Sequence, residues 1–80
     1  MTYKIEQVAF EVANELFRAT NNFGAFASAH EGFAIILEEV DELKAEVWKN
    51  AKVRNRTKLR TEAIQVAAMA MRFVMDVCDK

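Results

Sequence analysis

Four carboxylates fall within five residues: Glu38, Glu39, Asp41 and Glu42. At ~3.6 residues per helical turn, positions three and four apart share a face. Glu38 and Glu39 therefore both neighbour Glu42, while Asp41 points away. Like charges at this spacing weaken an isolated helix by roughly 0.2–0.5 kcal/mol per pair. Two readings are open: the acids form a solvated outer face, or they surround a cation.

A second polar set recurs at steps of four and three in a later, mostly apolar segment. It comprises Lys58, Glu62, Gln65, Arg72 and Asp76, with Met69 in the gap. A polar stripe on a buried helix must find partners. If it faces the first set, Glu38, Glu39, Glu42, Glu62 and Gln65 converge as oxygen ligands. Such a set suits a hard cation, Mg²⁺ or Mn²⁺. The set contains no His or Cys, which argues against zinc and di-iron. His30 stands apart, as a surface residue or loop contact rather than a ligand.

Between the two sets lie Lys49, Lys52, Arg54, Arg56, Lys58 and Arg60, with no acid among them. This is either a solvated basic turn or a clamp for phosphate oxygens. Trp48 beside it completes an apolar stripe or stacks on a base. Phe23 and Phe26 fold back onto apolar surface or line a pocket mouth.

Three helices must position these groups. The first spans about Tyr3 to Thr20, with Ile5, Val8, Val12, Leu16 and Ala19 on one stripe. Phe10, Ala13 and Phe17 form a second patch, either more core or a subunit contact. Asn21 to Gly24 ends the helix, in residues that tolerate left-handed backbone. Ser28-Ala29-His30-Glu31 has the spacing of a capping box and starts the second helix, which runs to about Asn50. Its apolar stripe is Phe33, Ile36, Leu37, Val40, Leu43 and Val47, opposite the acids. The third helix, about Thr57 to Val77, is apolar over most of its circumference and is expected to be buried.

The chain of 80 residues is one domain, with no proline and two glycines. Fully 52% of it is hydrophobic, more than so small a core needs, which predicts that apolar surface is hidden against another copy. A net charge of −1 gives no reason to expect nucleic acid or a membrane as partner. Cys78 alone cannot form an intrachain disulfide and fits a reducing compartment. No apolar run approaches the ~20 residues of a membrane span, and the N-terminus does not have a signal-peptide pattern. A soluble cytoplasmic protein is expected.

The stretches His30 to Leu43 and Glu62 to Phe73 resemble the MazG-like all-α nucleoside triphosphate pyrophosphohydrolases, in particular their small phage and bacterial members. The resemblance spans roughly Ser28 to Asp76. It implies a metal-binding Glu38, Glu39 and Glu42 on one helix and Glu62 on the next. Gln65 stands where that family has Asp. It further implies a four-helix bundle core completed by homodimer or homotetramer formation. The reaction implied is Mg²⁺-dependent cleavage of a nucleoside triphosphate to monophosphate and pyrophosphate. Glu38 would accept a proton from the attacking water, and Lys49, Lys52, Arg54 or Arg56 would hold phosphate. Phe23, Phe26 or Trp48 would face the base. Two other functions compete: a metal- or nucleotide-binding relative without catalysis, which Gln65 favours, and a helical protein-interaction module.

Overall fold

In the computed structural model, which describes residues 2–80, the chain forms three helices. These are α1 (Thr2–Asn22), α2 (Ala29–Val47) and α3 (Arg56–Phe73), the last continued by a π-helical turn, Val74–Cys78. There is no strand among the described residues. No helix is long and apolar enough to cross a membrane.

The helix ends follow from side-chain chemistry. Ser28 Oγ accepts from the Glu31 amide at 3.1 Å, as the capping box requires. Glu31 Oε1 returns to the Ala27 amide, 2.8 Å away, instead of to Ser28. Asn55 caps α3 by accepting from the Lys58 amide at 3.0 Å. α1 ends without any left-handed residue, so neither Asn22 nor Gly24 is used in that way. α2 stops at Val47, three residues before the expected Asn50. The Arg54 fork takes the Val47 carbonyl at 2.9 Å and the Lys49 carbonyl at 3.3 Å, which satisfies the helix end.

α3 packs against both other helices. α2 runs antiparallel to it, with Gly32 against Phe73 at one end and Glu46 near Lys58 at the other. α1 runs alongside α3 in the same direction, and Arg60 on α3 forms a paired contact with Glu11 on α1. The core is Val12, Leu16, Ala19, Phe26, Ala68 and Met69, joined at its edge by Ile35, Ile36, Ile64, Phe73 and Val77.

α2 presents its Gly32 side to the core. A Cβ there would lie 2.7 Å from Phe73 and 2.9 Å from Phe26, closer than carbon atoms approach. Gly32 thus lets α2 settle against these rings. Gly32→Val is expected to destabilise the fold by about 1–3 kcal/mol, the usual cost of overpacking. Urea unfolding checks this, and a variant as stable as the parent would contradict the packing.

The same placement turns part of the expected core stripe of α2 outward, while Ile36 packs at the edge of the core and Leu43 and Val47 are half-buried. Phe33 is 61% exposed and Leu37 46%, with Val40 also exposed. Ala63, Ala70, Met71 and Val74 of α3 are exposed too, so this helix is not buried all round. On α1, Phe10 and Phe17 are likewise exposed. Within one chain, more large apolar side chains face solvent than enter the core.

Candidate metal and nucleotide site

With α2 rotated this way, its acids meet the polar stripe of α3. One carboxylate oxygen from each of Glu39, Glu42 and Glu62 lies within 4.8 Å of the others. Glu39 and Glu42 are one turn apart on α2, and Glu62 stands across from them on α3. Among the described residues, no Lys or Arg forms an ion pair with any of the three. Burial, followed by the charge and hydrogen bond of Glu42 and then the charges of Glu62 and Glu15, raises the Glu39 pKa to about 7. The Glu62 pKa is also raised, by burial and by its hydrogen bond to Glu42. Three oxygen donors without a direct ion pair, offset only at a distance by Lys58 beside Glu62 and Arg18 beside Glu39, are a donor set that a hard divalent ion takes.

Gln65 is the fourth member. With its amide oriented to suit its neighbours, its NH₂ donates to Glu39 at 3.0 Å and to Glu62 at 3.2 Å. In this arrangement it bridges two carboxylates and turns its oxygen away from them, unlike the expected ligand. Glu38 is exposed and lies outside the three converging carboxylates, so the expected ligand set loses it. Glu46, one turn beyond Glu42, is only 7% exposed. Its Oε2 meets Lys49 at 3.0 Å, and its charge contributes to raising Glu62.

A cavity of about 450 Å³ opens beside Glu39 and Gln65. That volume is in the range of small-molecule sites. Ile35 and Met69 contribute apolar wall, and the segment Phe23–Phe26 contributes another side. Phe23 is exposed there, whereas Phe26 is buried in the core and shows the cavity only part of its ring. Trp48 does not line the cavity and is 76% exposed. It is nine residues past Glu39, about 13 Å along the helix at ~1.5 Å per residue.

The cations at this cavity are not those of the basic run. Lys49 is held by Glu46, Arg54 caps α2, and Lys52 and Arg56 do not line the cavity either. The cavity is lined instead by Arg18 from α1 and Arg72 from α3. Arg18 is paired with Glu15 at 2.5 Å; the hydrogen bond and charge of Glu15 raise its pKa, with a smaller contribution from the Glu39 charge. α1 carries no motif, and only its placement along α3 reveals that Glu15 and Arg18 border the acids. No family model, curated protein or solved structure matches the chain.

Proposed function

We propose that the chain is a divalent-cation-dependent nucleoside triphosphate pyrophosphohydrolase of the MazG-like kind, acting as a homo-oligomer. The supporting observation is the convergence of Glu39, Glu42 and Glu62 from two helices beside a cavity of about 450 Å³. Bound Mg²⁺ or Mn²⁺ supplies neutralisation of triphosphate charge and activation of a water. Glu39, Glu42 and Glu62 would hold that ion. Glu38, exposed and one turn before Glu42, would accept the water's proton, as the resemblance implies. Arg18, exposed at the cavity, would meet phosphate oxygens once it leaves Glu15. Phe23 at the cavity wall would meet the base.

The exposed Phe33, Leu37 and Val40 favour assembly. They lie at steps of four and three, hence on one face of α2. Two α2–α3 hairpins meeting through such faces would make a four-helix core.

A binding function without turnover is the second reading, and Gln65 favours it. Its amide occupies the acid cluster as a neutral donor where a further carboxylate would add charge. Pyrophosphate and orthophosphate release from a panel of nucleoside triphosphates with Mg²⁺ or Mn²⁺ separates the two. The expected product is pyrophosphate, matched one to one by monophosphate. Metal-dependent nucleotide binding with no product would replace the first reading by the second.

A further inference from the structure

The end of α3 is built around a buried ion pair that the reaction itself does not require. Arg72 is only 4% exposed. Its Nε lies 3.4 Å from Asp76 Oδ2, and its Nη2 donates to the Gly24 carbonyl. Its guanidinium sits 4.4 Å from the centroid of the Phe26 ring. Asp76 Oδ2 in turn accepts from the Phe26 amide at 3.0 Å. Two side chains one turn apart on one helix thus hold a carbonyl, an amide and a ring of the segment joining α1 to α2.

Burying an arginine is unfavourable unless its charge and donors are met. A surface connection of this length, moreover, is ordinarily mobile. The connection held here is a wall of the cavity, from Phe23 to Phe26, facing Glu39 and Gln65. A wall that distinguishes ligands must keep one shape, because a wall free to re-pack around each base loses the difference between them.

We propose that Arg72 and Asp76 are positioning residues that fix the α1–α2 connection as the nucleoside-facing wall and thereby set discrimination among bases. This rests on the nucleotide reading of the cavity. Asp76 does not line the cavity, and Arg72, which borders it, has its guanidinium engaged by the Gly24 carbonyl, Asp76 and the Phe26 ring. Phe23 makes the contact, and Arg72 and Asp76 hold the backbone on either side of Gly24 and Phe26.

The test is calorimetric binding of Mg²⁺ complexes of four α,β-methylene nucleoside triphosphates, which lack the scissile bond and differ only in base, to the full chain and to Arg72→Lys, Asp76→Asn and Phe23→Ala. Lysine keeps the charge but loses the fork that spans Gly24 and Asp76. The expected result is that the ratio of affinities between the best and worst base falls about tenfold in Arg72→Lys and Asp76→Asn, within the discrimination pocket contacts ordinarily supply. Phe23→Ala, at an exposed position outside the core, should lower the same ratio even where the other two variants fail to fold. A uniform loss across all four bases, an unchanged ratio, or a parent chain that binds all four bases equally would each overturn the proposal. If the parent forms no product but the ratio falls in the variants, the hydrolase reading fails and the positioning role stands. Nucleotide binding nowhere in the panel would overturn both.

Discussion

Replacing Glu39 with Gln is expected to lower nucleotide hydrolysis by at least about 10²–10³-fold, the scale of losing one electrostatic contact to a transition state. The same change is expected to raise the melting temperature of the metal-free protein at pH 8. The two effects have one cause. Glu39 shares a half-buried site with Glu42 and Glu62, and no ion pair relieves the three charges. Burial and the charge of Glu42 raise its pKa from an ordinary 4.5 to about 7. Between those values the folded chain keeps a proton that the unfolded chain has lost. Stability without metal therefore falls as pH rises from about 4.5 to about 7, and stays reduced above that window. Gln resembles the protonated acid at every pH, so the variant should lack most of this slope. Mg²⁺ held by the three carboxylates would do the reverse in the parent by favouring their ionised forms, and it should stabilise the parent most at pH 8.

Melting curves at pH 5 to 8, in chelator and in Mg²⁺, check these signs alongside the activity assay. Glu62→Gln should act in the same direction, because the Glu62 pKa is raised by the same neighbours. Near-parental turnover in both variants would remove the acid cluster from the chemistry. A lower melting point than the parent in chelator at pH 8 would show that these carboxylates do not repel one another.

The three helices and the cap that starts α2 were readable because they depend on local chemistry, whereas the end of α1 uses no left-handed residue and the Asn55 cap of α3 was not read. Ser28 and Glu31 announce the start of α2, and the structure uses both. Glu39, Glu42 and Glu62 were readable as partners because each lies on a polar stripe of its own helix. The rotation of α2 was not. An apolar stripe normally faces the core, so Phe33, Leu37 and Val40 read as interior. In the folded chain the inward side is instead decided by Gly32, whose missing Cβ lets Phe26 and Phe73 approach. The basic run misled for a different reason. Its charge pattern suits phosphate, but Arg54 closes the end of α2 and Lys49 pairs with Glu46. The cavity cations, Arg18 and Arg72, lie in segments far apart in sequence, and no spacing rule connects them.

Leu37→Glu is expected to convert the assembled protein to a monomer at tens of micromolar and to lower its melting temperature. Burying the surface still exposed would contribute about 1–2 kcal/mol at Phe33 and about 1 kcal/mol at each of Leu37 and Val40, and a twofold pair counts each twice. A carboxylate in the middle of that face would have no partner, and its desolvation opposes association. Phe17→Glu is the control: it puts the same charge on an exposed apolar face of α1 and should leave the α2–α3 pairing intact. Sedimentation equilibrium of the parent and both variants decides the matter, and a monomeric parent would sink the bundle. The outcome bears on the site as well. The rotation that sends Leu37 outward is the one that brings Glu39 toward Glu62, so a partner covering Leu37 would hold the carboxylates together against their repulsion. Leu37→Glu should therefore also weaken stabilisation by Mg²⁺, although Leu37 is not among the three converging carboxylates.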